Sequence, residues 1–256
     1  MAVGLIETLA AQSTPWLLMV GLWKPHLPWR CPLAYVNNTT PFNGAFAGGA
    51  TSGLTQAEYL IAHGNGCGEV SLYAGAPNIL QGNLVSPSTC ASANQAYHAT
   101  ASYMDQQMGY ILDALEATSA AAYTHIVFLG DHGFHLGDHG LYCKHTNYEQ
   151  ATHTPLIFTP APSVTGFARG QKAYAPVELL DIIPTIVELT NLRSATGSAN
   201  WQGMSLVPLM KNPTTYIKPA AISQYFRGAG SNVKMGYSVR TVRYRLTRWC
   251  TCFLFL

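Results

Sequence analysis

His125-Ile126-Val127-Phe128-Leu129-Gly130-Asp131-His132-Gly133-Phe134-His135-Leu136-Gly137-Asp138-His139-Gly140 begins as an uninterrupted apolar run and breaks into a glycine-punctuated loop. The run is rich in β-branched and aromatic residues without polar alternation, so it reads as a buried strand of a parallel sheet. Loops at the carboxyl ends of such strands open into the crevice where α/β folds bind ligands, which places Asp131 and His132 there. Six of the chain's nine histidines fall between His125 and His153, and imidazole gathered with carboxylate after a strand is what a metal-assisted hydrolytic site requires. His135 and His139, four apart, could instead share one face of a zinc-binding helix. Gly133, Gly137 and Gly140 oppose a helix, and the glutamate of H-E-x-x-H is missing. Asp131 and Asp138 also suit a plain turn, and the longer pattern decides between the readings.

Upstream, residues 16–22 read as a strand followed by a proline-rich connection that carries His26. A helix is expected at 5–12. Residues 41–87, rich in Gly, Ala, Ser and Asn, read as a long surface excursion with one short helix near 56–62. Over 93–118, Met104, Met108, Ile111, Leu112 and Leu115 recur at helical intervals, predicting one packed face with Asp105 and Gln106 outward. Downstream, 155–158 reads as another buried strand. Asp181 is placed to cap a helix that runs to Thr190 with Pro184 in its first turn. After a loop at 193–200, residues 220–226, 235–241 and 244–249 alternate like strands, the last two joined tightly at Val242-Arg243 as an antiparallel hairpin.

Composition bounds the class. A length of 256 residues with 48% hydrophobic content permits one large domain or most of one. Only 10% of residues are charged, against about 25% in ordinary soluble domains, which fits a chain whose outer faces partly belong against other segments. The net charge of +2 is too small to imply nucleic acid as a partner. Arg240, Arg243, Arg245 and Arg248 read as a solvated hairpin face. The opening carries Glu7 and lacks a basic leader region, so residues 5–22 read as neither a convincing signal peptide nor a membrane span. Six cysteines are compatible with secretion, and Asn37-Asn38-Thr39-Thr40 holds two overlapping glycosylation sequons.

Asp131-His132-Gly133, Leu136-Gly137-Asp138-His139-Gly140, Lys144 and Ala151-Thr152-His153-Thr154-Pro155-Leu156-Ile157-Phe158 together resemble the C-terminal part of the sulfatase catalytic domain, of the alkaline-phosphatase superfamily. The iduronate-2-sulfatase branch is nearest. The likeness extends to Val20-Gly21-Leu22-Trp23-Lys24-Pro25-His26-Leu27-Pro28-Trp29-Arg30, to Ser102-Tyr103-Met104-Asp105, to Asp181-Ile182-Ile183-Pro184-Thr185 and to Met235-Gly236-Tyr237-Ser238-Val239-Arg240-Thr241. These blocks keep family order across residues 5–249.

The resemblance implies an α/β fold with a central, largely parallel sheet flanked by helices and a small C-terminal antiparallel sheet. It divides the chain at 1–200 for the catalytic portion and 201–256 for part of the small subdomain. It implies Asp131 and His132 as two ligands of a divalent cation, usually Ca2+. Lys144 becomes the holder of a sulfate oxygen and His26 the group beside the leaving oxygen, both touching a sulfated carbohydrate. Lysosomal or secreted placement is implied in the same way. The chemistry agrees, because a sulfate ester needs cations around its non-bridging oxygens and a proton donor at the departing alcohol.

The family's nucleophile is a formylglycine made from cysteine in a C-x-P-S-R or C-x-A-x-R setting, and none of the six cysteines stands in one. The paired aspartates that complete the metal shell are also missing. The chain is therefore expected to be a piece of a longer protein that alone hydrolyses sulfate esters poorly or not at all. Two alternatives share its residues: an inactive pseudoenzyme fragment, or a metal-dependent phosphoesterase of the same superfamily.

Overall fold

The computed structural model describes residues 1–39, 87–138, 141–192, 200–228 and 233–251. All but the last residue of the expected excursion at 41–87, with its short helix, most of the 193–200 loop, and His139 with Gly140 lie outside them. The chain divides into two units, Met1–Ala122 with Phe134–His145, and Tyr123–Gly133 with Thr146–Leu256.

The first unit is built on helices. Helix α1 (Ala2–Ala10) and helix α2 (Leu33–Asn38) pack on the long helix α3 (Pro87–Glu116). α1 buries Ile6. α3 starts at a proline, whose fixed φ suits a first turn, and runs earlier than its methionine pattern predicted. The expected stripe is its less exposed face and Asp105 and Gln106 are outward, yet of that stripe only Leu115 is fully buried. The tightest packing lies nearer the N-terminal half, at Ala93, Asn94, Ala99 and Thr100.

Against α3 lies a two-residue hairpin, β2 (His135–Leu136) with β3 (Tyr142–Cys143), which the sequence reading missed. Leu27, Ala93, Tyr142 and Cys143 form one core cluster, with Trp29, Phe134 and Leu136 packed against it. Burying a leucine of this kind stabilises by about 1.5–3 kcal/mol. Residues 16–22 do not form the expected strand. They pair with no other strand among the described residues, and Leu17 and Met19 are exposed.

The second unit carries β1 (Ile126–Leu129), which pairs with β4 (Leu156–Thr159) in register Ile126 with Thr159 through Leu129 with Leu156. The pairing is antiparallel, which corrects the expected parallel arrangement, and every sheet among the described residues is antiparallel. The burial also falls short, since Leu129 is 40% and Ile157 54% exposed. A continuous apolar run sets neither strand direction nor the cover on its outer face. Helix α4 (Glu149–Thr152) precedes β4.

Helix α5 (Ile182–Leu189) follows a 3-10 turn at Leu179–Asp181, with Pro184 in its first turn as expected. Asp181 stands at the N-cap position, but its carboxylate does not cap that helix. It is fully buried and accepts from the Glu178 N–H at 2.8 Å, the Met204 N–H at 2.8 Å and the Lys218 ammonium at 2.7 Å. Helix α6 (Val207–Lys211) and the antiparallel sheet β5 (Ala221–Arg227), β6 (Lys234–Arg240) and β7 (Arg245–Thr251) complete the unit. The predicted hairpin is there, closed by the Thr241 N–H donating to the Tyr244 carbonyl at 2.8 Å.

Candidate functional site

Two groups of predicted residues are assembled, one in each unit. In the first, His26 and Lys144 stand 118 positions apart in sequence, and Lys144 Nζ lies 3.0 Å from His26 Nε2. Core packing explains the meeting. Leu27 and Cys143, the chain neighbours of these residues, share one apolar cluster, so the next side chain on each strand of backbone is delivered to the same rim. Cys143 is disulfide-bonded and has φ of 93°, a conformation that costs a non-glycine residue about 1–3 kcal/mol.

The imidazole's tautomer follows from its neighbours. His26 Nδ1 faces the Leu27 carbonyl at 2.8 Å, and a carbonyl only accepts, so Nδ1 carries the proton. Nε2 of the neutral ring is then the acceptor for the Lys144 ammonium. The connection holding His26 is fastened by Lys24, whose ammonium donates to the Pro28 carbonyl and, at 3.4 Å, to that of His26. Both Lys24–Pro25 and Leu27–Pro28 peptide bonds are cis. Burial, followed by the charge of Arg30, more than offsets the pull of Cys31 and lowers the Lys24 ammonium below its ordinary range.

In the second unit, Asp131 and His132 form a corner just beyond β1. The His132 N–H donates to Asp131 Oδ1 at 3.0 Å, and Nδ1 of its ring faces the Gly133 carbonyl at 2.9 Å. That carbonyl fixes the proton on Nδ1 and leaves the Nε2 lone pair outward, 3.7 Å from Asp131 Oδ2. An imidazole anchored through one nitrogen to a backbone carbonyl, with its other nitrogen beside a carboxylate oxygen, suits two ligands of one cation. Two are only part of a shell, since Ca2+ takes about 6–8 oxygen-rich ligands. Among the described residues no three His, Cys, Asp or Glu side chains gather as a metal-holding group.

The corner is clasped from one side. The Gly133 N–H donates to the Ala151 carbonyl at 2.9 Å, and a Cβ at Gly133 would collide with the Gln150 carbonyl. Glu149, which opens α4, accepts from Arg240 at 2.9 Å and 3.2 Å and from Arg245 at 3.2 Å and 2.9 Å. Two of the four arginines expected to be solvated thus tie the C-terminal hairpin to the helix that braces the corner. Burial would raise the Glu149 carboxyl, but hydrogen bonds and charge from the two arginines outweigh it and hold it below the usual carboxylate range.

Three further histidines of the cluster have settings of their own. His125 Nδ1 accepts the Ala161 N–H at 3.2 Å, and burial, then the Arg169 charge, lowers its basicity. His135 is fully buried, and His153 sits on the surface beside Glu149. Trp23 was not singled out in sequence. Its ring lies 4.9 Å from that of His26, and its position next to Lys24-Pro25-His26 was the available signal.

Comparison with known proteins gives a consistent result. A family model described as Sulfatase matches residues 1–192, and a second, described as N-sulphoglucosamine sulphohydrolase, C-terminal, matches residues 137–253. Iduronate 2-sulfatase of Mus musculus is 27% identical over 97% of this chain and 54% of its own length. The chain thus spans about half the length of that relative. The phosphonate monoester hydrolase of Agrobacterium radiobacter has the same fold with a TM-score of 0.70 at 20% identity, over 98% of this chain and 53% of that one. A structure described as bound to its substrate D-glucosamine-2-N,6-O-disulfate superposes with a TM-score of 0.60 at 21% identity, over 88% of this chain and 56% of its own.

Proposed function

The chain belongs to the sulfatase family, and from that premise we propose that it carries part of the machinery of a sulfuric ester hydrolase acting on sulfated sugars, of the iduronate-2-sulfatase kind. The observation that carries the reading is the contact between Lys144 Nζ and His26 Nε2 at 3.0 Å. An ammonium beside an imidazole is what a sulfate monoester needs at its two ends. Lys144 takes a non-bridging oxygen, which draws its N–H away from Nε2. Nε2, freed of that N–H, takes up a proton from solvent, and His26, with Nδ1 held by the Leu27 carbonyl, donates it to the bridging oxygen of the departing alcohol.

Asp131 and His132 supply two ligands of a divalent cation, Ca2+ by family resemblance. Such an ion would supply positive charge to an anionic oxygen. No cysteine here stands in a formylglycine setting, so the attacking group is assigned to no residue of this chain. Lysosomal or secreted placement is supported by the disulfide at Cys143, which persists in oxidising compartments. No helix among the described residues is long and apolar enough to cross a membrane.

The test is calorimetric titration of the chain with inorganic sulfate and inorganic phosphate, beside the Lys144→Ala variant. Sulfate affinity is expected to fall at least about tenfold on loss of a charge-assisted contact. Equal sulfate affinity in the variant overturns the reading, and a strong preference for phosphate redirects it to phosphate esters.

A further inference from the structure

We propose that Trp23 is the platform on which the sugar ring of the substrate rests, an inference that stands on the reading of His26 and Lys144 given above. Trp23 is 67% exposed, yet it is not loose. Its indole N–H donates to the Leu27 carbonyl at 3.1 Å, the same oxygen that His26 Nδ1 faces at 2.8 Å. One carbonyl therefore fixes the orientation of both rings, whose centroids are 4.9 Å apart with planes tilted by 55°. The polar edge of the indole is used internally, and its apolar face is what remains for a ligand.

Aromatic faces carry negative quadrupolar charge and attract the weakly positive C–H face of a pyranose. The order of groups matches that of the ligand. Trp23, His26 and Lys144 follow one another through successive contacts, as sugar ring, bridging oxygen and sulfate do in a sulfated monosaccharide. Trp23 is thereby a specificity residue for the alcohol portion, whereas Lys144 reads the anion.

The test compares glucosamine 6-sulfate with inorganic sulfate, by calorimetry on the full chain and on its Trp23→Ala, Trp23→Phe and Lys144→Ala variants. The expected result is an approximately tenfold loss of sugar sulfate affinity in Trp23→Ala. Trp23→Phe retains most of that affinity, and the loss is confined to the sugar ligand. Equal affinity of wild type and Trp23→Ala for glucosamine 6-sulfate overturns the platform, as does an equal loss for both ligands. If Lys144→Ala binds inorganic sulfate as wild type does, the parent reading fails instead, whatever the tryptophan variants show.

Discussion

The His26–Lys144 pair and the Asp131–His132 corner place polar groups by opposite means. The first joins residues 118 positions apart, and what brings them together is apolar, the cluster of Leu27 with Tyr142 and Cys143. The second joins consecutive residues, and what shapes it is polar backbone: the Gly133 carbonyl on the imidazole and the Ala151 carbonyl on the Gly133 amide. A pair assembled by a core depends on volume. A corner assembled by carbonyls depends on close approach, and therefore on the glycine that permits it. The two should fail under different substitutions.

The largest expected effect falls on the frame of the unit that holds the corner. Lys218 is 10% exposed and binds both Glu178, at 2.6 Å, and the fully buried Asp181, at 2.7 Å. Lys218→Met leaves a buried carboxylate uncompensated and should cost about 3–5 kcal/mol, read as a fall in urea midpoint. A midpoint within error of wild type would mean that the cluster is not the frame. Burial works against the Lys218 ammonium, but its bonds to Asp181 and Glu178 prevail and raise it above the ordinary lysine value. This stabilisation is complete below the ordinary lysine range and disappears as pH climbs through the raised folded value.

Leu27→Ala should cost about 2–5 kcal/mol through the cavity it leaves. Imidazole NMR signals of His26 should shift while those of His132 stay in place, and a shift of His132 alone would invert the comparison. Gly133→Ala should cost about 1–3 kcal/mol by overpacking against the Gln150 carbonyl, with the reverse pattern of shifts.

The smallest effect is acid sensitivity through Glu149. Because its folded carboxyl sits below the unfolded one, its contribution is complete above the usual carboxylate range and vanishes as pH falls through the depressed folded value. The side chain is 39% exposed, so screening keeps the effect modest. A urea-midpoint difference between wild type and Glu149→Gln at neutral pH should close in acid, and a gap constant with pH would sink the clamp.

Local features were legible in sequence wherever one short segment carries its own signal. The apolar run into Gly130 marked β1 and the corner, the alternation at 235–241 and 244–249 marked the C-terminal hairpin, and Pro184 marked the first turn of α5. What escaped depends on partners far along the chain. The antiparallel pairing of β1 with β4 is set by neighbours, because four apolar residues encode no direction. Arg240 and Arg245 look solvated in sequence because Glu149 lies 91 and 96 positions away. Asp181 reads as an ordinary cap until Lys218 and Met204 are brought to it. His26 and Lys144 were found through family likeness, and no spacing rule would have joined them.

The uncovered stretch Trp16-Leu17-Leu18-Met19-Val20-Gly21-Leu22 has a further consequence. It is uncharged, free of proline and apolar throughout, with Leu17 74% and Met19 85% exposed. Segments of this length and character template cross-β stacking between copies. Concentrated solutions of the chain should therefore cloud and take up amyloid dye before the fold itself melts, and a single lysine in place of Met19 should keep them clear.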